Sequence, residues 1–375
     1  LRRHGMNILR IWYDRYFTDP QVVILAVLLV AGFMVAIYFG EMLAPVLAGI
    51  VIAYLLDGVV DKFTRLGMPR ISAVVLVFIL FMTFLVFALF WLMPRLSWQV
   101  TQLVQQLPIM LGQGQEALLH LPDKYPALFT ETQVNDLIDA IRRQIAEMTQ
   151  QVLSMSYASV IGLITLVVYI ILVPVLAFFF LKDKEHILVW FGERMPAERH
   201  LAEQVWHDVN LQVSNYVRGK VWEIFIVGAV TFATFSIMGL QYALLLATMV
   251  GLSVIIPYIG AAVATVPVAI IAWFQWGWSA DFAWIIVAYG VIQALDGNLL
   301  VPLLFSEVVN LHPVAIIIAV LVFGGIWGFW GVFFAIPLAT LVQAVLNAWP
   351  RKDEEEQGPE ESEASEASEA SEASG

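Results

Sequence analysis

Long apolar runs separated by short polar segments dominate the hydropathy pattern of this chain. The first three runs cover residues 22–40, 42–60 and 71–93, and a fourth covers 152–181, where Pro174 interrupts it. An α-helix needs about 20 apolar residues to cross the hydrocarbon of a bilayer, and each run approaches or exceeds that length. The pattern therefore predicts membrane-spanning helices in the first half of the chain.

The second half of the chain is a nearly continuous apolar stretch, without one Lys or Arg between Val221 and Pro350. Two of its runs are uninterrupted, and two are broken by Gly and Pro residues. The uninterrupted runs are 221–240 and 282–304, and the broken ones are 243–276, with its break at 256–260, and 313–348, with its break at 324–331. Each broken run is either one kinked span or a re-entrant hairpin.

The composition excludes a soluble protein. Of the 375 residues, 60% are hydrophobic and 13% are charged, about half the charged share of an ordinary soluble domain. We expect an all-α polytopic integral membrane protein with about eight membrane segments, two of them broken or re-entrant, and amphipathic helices outside the membrane. The formal charge of −12 is mostly a property of residues 351–375, where ten acidic and two basic residues leave −8.

The runs and polar segments divide the chain into six regions. They are a three-span region at 1–93, an extracytoplasmic helical region at 94–151, a fourth span at 152–181, a cytoplasmic helical region at 182–220, a transport core with broken helices at 221–350 and an acidic tail at 351–375. The tail ends in a Ser-Glu-Ala repeat without large apolar residues, so we expect it to be disordered.

Basic residues predict the orientation, because short cytoplasmic loops are enriched in Lys and Arg. Arg residues precede the first span, a basic loop occupies 61–70, and further basic residues, among them Lys220, follow the fourth span. The pattern places both termini in the cytoplasm. Apolar residues at helical spacing also predict an external helix from Val134 to Val152 and a cytoplasmic helix from Pro196 into the fifth span.

The two breaks resemble each other in sequence. Gly260 begins the pattern G-x3-A-x2-P, and Gly331 begins G-x3-A-x-P, which ends at Pro337. Paired interruptions in corresponding positions are the sequence pattern of a transporter's central site. We therefore expect Pro257, Tyr258 and Gly260 to line a pathway. The second break is the expected hinge or gate, formed by Gly324, Gly325, Gly328, Gly331 and Pro337. The alternative is that these glycines only permit close helix packing.

Asp296 is the main candidate for chemistry in the core, because a carboxylate within an apolar span by default faces a cavity or a partner. No Lys or Arg of the same half is available to neutralise it. It could bind a cation, exchange a proton or accept hydrogen bonds from a solute, together with Gln293, Asn298 and Pro302. The alternative is that these polar residues cap the aqueous end of a span. Glu223 is a further pathway candidate, although it is nearer a span end.

Motifs for an enzyme are lacking in this sequence. It contains no Cys, no His-Glu-x-x-His pair, no Gly-x-Ser-x-Gly elbow and no phosphate-binding Gly-x-x-x-x-Gly-Lys-Ser/Thr loop. A basic stripe for nucleic acid is also missing. The interpretation is therefore a protein that is not an enzyme, with no cofactor, no metal and no nucleic-acid partner. Its expected partners are the lipid bilayer and a small polar solute or a cation.

The ordered motifs of the second half resemble a known family. They are the segment 212–220, the Pro-Tyr-Ile-Gly break, the segment 296–302, Leu-His-Pro at 311–313 and the Gly-rich second break. Together they are similar to the autoinducer-2 exporter (AI-2E) family of bacterial permeases, and most to its PerM-type branch. The resemblance implies a multi-pass bacterial inner-membrane protein that forms homo-oligomers, with a pentamer as the expected state. It also implies a cytoplasmic entry motif that contains Gln212, Tyr216, Arg218 and Gly219.

Three functions follow from these observations. The first is a secondary transporter, not driven by ATP, that exports a small polar solute such as an autoinducer-like signalling molecule. The second is a sodium/proton antiporter, which the family resemblance also implies. The third, of another class, is an envelope scaffold or assembly factor that works through the external or cytoplasmic helices.

Overall fold

The computed structural model describes residues 20–119, 130, 132–136, 138–140, 142–144, 159–194, 200–257, 259–305 and 311–348. Within these ranges the chain is helical and contains no strand. The helices are α1 Pro20–Arg65, α2 Arg70–Phe87, α3 Met93–Leu119, α4 Ser159–Lys182, α5 Lys184–Gly192, α6 His200–Ile237, α7 Ala243–Ser253, α8 Ile259–Trp276, α9 Ala280–Leu295, α10 Val301–Phe305, α11 Pro313–Phe333 and α12 Ala335–Ala348, with π-helical turns at Ala88–Leu92 and Asp296–Leu300.

Seven stretches of these helices are long and apolar enough to cross a membrane. They are Val23–Gly40, Met42–Arg65, Arg70–Glu116, His200–Ile237, Ile259–Trp276, Ala280–Phe305 and Pro313–Phe333. Large apolar side chains remain exposed along most of them, for example Tyr38, Met42 and Phe90. Lipid is the solvent that such surfaces require. The prediction of an all-α polytopic membrane protein is confirmed.

The first two predicted spans are the two arms of one bent helix, α1. Leu201 N donates to Gln21 Oε1, and Tyr54 Oη donates to Asn210 Oδ1. Leu201 and Asn210 are nine residues apart on α6, or about 14 Å, whereas 33 residues of straight helix between Gln21 and Tyr54 would span about 50 Å. Helix α1 therefore bends back sharply between these contacts, in the part that contains Pro45.

Helices α4 and α6 are both continuous. Helix α4 continues through Pro174, so this proline does not interrupt the fourth span. Helix α6 runs without a break from His200 to Ile237, so the helix predicted before the fifth span is continuous with that span. The second arm of α1 packs on α4, and the two backbones come close where Gly49 lies against Leu176 and Ala177.

The first broken segment is a re-entrant hairpin, not a kinked span. At its base, Gln241 N donates to the side chain of Gln275, which in turn donates to Gly239 O. At its tip, Gly260 lies directly against the carbonyl of Ser253. The arms between these contacts have about 12 and 15 residues, or about 18 and 22 Å, and each is shorter than the about 30 Å of the hydrocarbon, although Ile259–Trp276 as a whole has the length and composition of a spanning helix. We call residues 241–275 the first hairpin.

The second broken segment also turns back on itself. Gly331 lies against the carbonyl of Phe323, and Gly328 interrupts the helix with φ 56° and ψ −131°. Ile316 and Ile336 belong to one buried cluster, although 20 residues of straight helix would separate them by about 30 Å. We call residues 313–348 the second hairpin. Both breaks are hairpins, and this decides the alternative that the sequence left open.

The tips of the two hairpins meet beside α6. Ile255 of the first hairpin shares a buried cluster with Phe333 and Ile336 of the second, and Ile256 packs on the cluster that contains Phe323. The first hairpin is held close to α6 where Gly251 lies against Gly228 and the Ile224 carbonyl. This close packing of small residues is typical of helix contacts in membranes.

Candidate functional site

A cavity of about 590 Å³ with a mostly apolar wall and a few polar side chains lies where the two hairpin tips, α6 and the α9–α10 connection meet. Its polar lining includes Tyr216, Lys220 and Glu223 from α6, and Gln293 and Asp296 from the end of α9 and the turn that follows. Its apolar lining is Val254, Ile256, Pro257, Ala261, Gly297, Val301, Pro302, Phe305, Leu311, Ile316 and Ile336. The volume falls within the range of small-molecule sites in proteins.

Lys220 is the central cation of the cavity. Its Nζ lies 2.6 Å from Glu223 Oε2 and donates a hydrogen bond of 3.0 Å to the Val254 carbonyl in the first hairpin. The side chains of Lys220 and Glu223 are only 4% and 3% exposed. The ring centroids of Phe305 and Tyr216 lie 5.2 and 6.0 Å from the ammonium. A buried ion pair needs such additional contacts, because desolvation of both charges is costly.

The position of Lys220 corrects the sequence interpretation twice. We expected this residue among the cytoplasmic basic residues that flank the fifth span, but it is buried inside the cavity. We also expected Asp296 to have no Lys or Arg available to neutralise it, whereas Lys220 lines the same cavity. The spacing Lys-x-x-Glu places Lys220 and Glu223 on the same face of a helix, and this signal could have identified the pair.

Asp296 is positioned by an irregular turn of helix. It begins the π-helical turn Asp296–Leu300, in which the Val301 N–H bonds to the Asp296 carbonyl. Pro302 follows and has no N–H to continue the regular ladder, which favours a locally widened helix. Such π-turns are frequent at functional sites. The Asp296 side chain is buried, and its Oδ1 has no hydrogen-bond partner among the described residues.

Several polar atoms converge on this cavity without a partner. Besides Asp296 Oδ1, they are the Tyr216 hydroxyl and Gln293 Nε2, none of which forms a hydrogen bond within the described part of the chain. One acceptor, one donor and one hydroxyl that can do both thus line the same cavity. Buried polar groups normally have partners, so their convergence is typical of a site for a polar ligand.

The predicted entry motif is only partly in the cavity. Tyr216 lines the cavity. Gly219 does not line it, but because this residue has no side chain, Phe305 and the Leu304 carbonyl can approach α6 closely. Arg218 points elsewhere: it packs on Gly58 of α1, and its Nε donates to the Tyr54 carbonyl at 3.3 Å. Gln212 does not line the cavity. Sequence reasoning missed Phe305, which covers Lys220.

The remaining predicted residues have varied positions. Asn298 is exposed and bonds the Ala294 carbonyl, so it does not belong to the cavity. Gly328 and Gly331 form the turn of the second hairpin, and Gly324 lies against Val332, while no atom lies close to Gly325. Pro337 lies in α12, where its carbonyl accepts from Thr340. Tyr258 lies outside the described residues.

Charged side chains of both signs meet in the cavity without forming a cluster of metal ligands among the described residues. In the part of the chain that the structure describes, no three His, Cys, Asp or Glu side chains come close enough to share a metal. One ammonium and two carboxylates meet in the cavity instead, and the charges of Glu223 and Asp296 interact with each other as well as with Lys220.

Comparison with known proteins relates this architecture to transport. The family model described as AI-2E family transporter matches residues 24–351. The chain is 46% identical over 346 residues to the Escherichia coli K12 protein named "Putative permease PerM", a match that covers 92% of this chain and 98% of that protein. It is 28% identical over 313 residues to the Bacillus subtilis protein named "Putative transport protein YueF", with 82% of this chain and 84% of that protein covered. The chain therefore belongs to the AI-2E family of membrane transporters.

Proposed function

We propose that this transporter moves a small polar solute through the cavity between its two hairpins. The convergence of Asp296 Oδ1, the Tyr216 hydroxyl and Gln293 Nε2 on one cavity is the observation that supports this most directly. A solute with hydroxyl or carbonyl groups can donate to the carboxylate and accept from the amide or the phenol. An uncharged polar solute suits the cavity, because Lys220 already compensates part of its negative charge.

The hairpins supply the moving parts of this proposal. Each hairpin turns back at its tip, and the two tips meet at the cavity, so displacement of either tip changes access to the site from one side. Alternating access through discontinuous helices is the general mechanism of secondary transporters, in which the site itself stays near the middle of the bilayer. In this proposal the protein lies in the bacterial inner membrane with both termini in the cytoplasm, exports its solute, and assembles as a homo-oligomer, with a pentamer as the expected form.

Solute flux in proteoliposomes tests the proposal. Vesicles with the wild type, Asp296→Asn or Asp281→Asn are loaded with a panel of small polyols and furanose-like metabolites, and efflux is followed by mass spectrometry. Asp281 is a matched control, because it is an exposed acid in the first turn of α9, at the other end from Asp296. We expect efflux with the wild type and Asp281→Asn, and its loss with Asp296→Asn. Equal efflux from all three would remove Asp296 from the mechanism.

A cation/proton exchanger is the second candidate function. It is favoured by the arrangement of Glu223 and Asp296 around one ammonium, because two carboxylates with one counter-ion leave a single negative charge to be compensated by a cation or a proton. A sodium pulse applied to vesicles that contain a pH-sensitive dye tests it. Sodium-dependent proton movement that is lost in Asp296→Asn supports exchange, whereas solute efflux without proton movement supports the first candidate.

The scaffold hypothesis makes the opposite mutational prediction. The external helix on which it depends, residues 134–152, is described only in part, as helical pieces at 132–136, 138–140 and 142–144. A scaffold would tolerate alanine at the hairpin glycines and lose function through changes in the external helix. A transporter would show the reverse pattern, because Gly260 and Gly331 form the turns of the hairpins.

A further inference from the structure

One ammonium group in the cavity faces two carboxylates that belong to different structural elements. Lys220 and Glu223 lie one turn apart on α6, whereas Asp296 begins the π-helical turn after α9. The ammonium pairs with Glu223 and also donates to the Val254 carbonyl of the first hairpin. Asp296 lines the same cavity as Lys220 and Glu223, and its Oδ1 is unpaired among the described residues. One cation thus has two alternative anionic partners.

The bond to Val254 connects the ammonium to the position of the hairpin. Val254 follows the last residue of α7, and the final carbonyls of a helix have no N–H partner within it. Lys220 supplies one of the missing donors, so the tip of the first hairpin is attached to α6 by a charge-assisted hydrogen bond. The bond therefore connects the first hairpin to α6 at a point where both elements line the cavity.

We propose that Lys220 is a positioning residue that holds the first hairpin closed, and that the hairpin opens when its ammonium moves from Glu223 to Asp296. Phe305 and Tyr216 shield the ammonium from water, so it must keep an anionic partner at all times. A move to Asp296 removes the donor from the Val254 carbonyl and frees the tip. The two pairings are therefore the two states of a switch.

The switch makes solute occupancy and hairpin position depend on each other. A solute that donates a hydrogen bond to Asp296 competes with Lys220 for that carboxylate and favours the closed pairing with Glu223. When Asp296 is free of solute, it can take the ammonium and release the tip. This inference rests on the proposed function only in taking the cavity as the solute site.

Thiol labelling tests the switch without any need for a known substrate, because the chain contains no Cys. Ala261 lines the cavity on the first hairpin, so Ala261→Cys reports access to it. Ala280→Cys, at an exposed position beyond the base of the hairpin, is the reference. The rate of maleimide labelling at both positions is measured in nanodiscs, alone and combined with Glu223→Gln, Asp296→Asn or the pair Lys220→Met and Glu223→Gln.

The two carboxylate variants should change the labelling rate in opposite directions. Glu223→Gln favours the pairing with Asp296, so labelling at position 261 should rise on the order of tenfold, the factor expected for loss of one charge-assisted hydrogen bond. Asp296→Asn leaves only the closed pairing, so labelling should fall below that of the parent. The double variant Lys220→Met and Glu223→Gln removes the ion pair of α6 together with the donor to the Val254 carbonyl, so its labelling should rise as in Glu223→Gln. Labelling of the Ala280→Cys reference should stay constant throughout.

A merely structural ion pair gives a different result. Labelling that rises in both carboxylate variants, or stays unchanged when Lys220 and Glu223 are neutralised together, would overturn the switch. The two proposals can also fail separately, because labelling requires no solute. Opposite changes in labelling without solute flux would retain the switch and reject the proposed solute, whereas normal flux with parallel changes in labelling would reject only the switch.

Discussion

Gly260 and Ser253 are in direct backbone contact at the tip of the first hairpin. A Cβ atom at position 260 would overlap the Ser253 carbonyl oxygen. Gly331 has the same relationship to Phe323 in the second hairpin. The two glycines that begin the similar sequence patterns thus have the same structural role, since each lets a chain reverse against the end of the preceding helix. This likeness supports a common design of the two hairpins.

Gly260→Ala should destabilise the protein, because the methyl group can be accommodated only by moving backbone. We expect the free energy of unfolding to fall by roughly 1–3 kcal/mol, the usual cost of overpacking, and the unfolding temperature in detergent to fall with it. Gly290→Ala is the matched control, since it lies in the middle of α9 with no atom near the added methyl group. The control should be neutral or slightly stabilising. Equal stability of the two variants would contradict the tight turn.

Gly331→Ala should have a similar effect in the second hairpin, for the same reason. Gly325 is the matched control, because it lies in the same break, six positions before Gly331, with open space around it. Gly325→Ala should therefore leave the unfolding temperature within a few degrees of the wild type. Thermal unfolding followed by intrinsic fluorescence measures both. A larger loss in Gly325→Ala than in Gly331→Ala would show that the break is not organised around Gly331.

The hairpin at 241–275 can be tested by crosslinking. Gln241 and Gln275 are joined by a hydrogen bond from the Gln241 N–H, whereas one kinked span would place them up to about 50 Å apart. A short bifunctional thiol reagent should therefore join Gln241→Cys and Gln275→Cys within one chain. The control pair, Gln241→Cys with Ile259→Cys, combines the base with the tip and should not react. Mass spectrometry identifies the crosslink, and a crosslink only in the control pair would contradict the hairpin.

Asp57 should matter more for stability than its exposed neighbour Glu185. Asp57 is buried and accepts from Lys184 at 2.8 Å, and Arg70 lies 3.8 Å away, whereas the Glu185 side chain is 75% exposed. Neutralising a buried, hydrogen-bonded carboxylate lowers the free energy of unfolding by roughly 1–3 kcal/mol, whereas loss of an exposed ion pair lowers it by about 0–1 kcal/mol. Unfolding temperatures of Asp57→Asn and Glu185→Gln measure the difference. Equal values would show that the Asp57 cluster is effectively solvated.

Local sequence signals predicted the helices and the places where they break. Apolar runs of sufficient length identified the spans, and Gly and Pro identified the interruptions around Pro257 and Gly328, because these residues act on the backbone within one turn. The same signals could not tell a kink from a hairpin. That choice depends on which surface each arm packs against, and the contact of Gln241 with Gln275 joins residues 34 positions apart.

The site was predicted only in part, because local sequence signals identify single residues but not the distant groups that pack around them. An acidic residue within an apolar span can be recognised without knowing its neighbours, because a carboxylate there needs a cavity or a partner, so Asp296 was identified from sequence. Lys220 was assigned to the membrane surface, because a basic residue at the start of a span normally lies there. Its burial depends on Glu223, the Val254 carbonyl and Phe305, and the last two come from elements far along the chain.

The sequence by itself determined that this protein is helical, lies in a membrane and breaks its helices at two similar points, because hydropathy, helix propensity and chain stiffness act over short distances. Only the tertiary structure decided that both breaks are hairpins, that their tips meet beside α6 and that one lysine is buried between two carboxylates. These features depend on packing between distant segments, and a buried charge is stable only where the whole set of its partners is brought together.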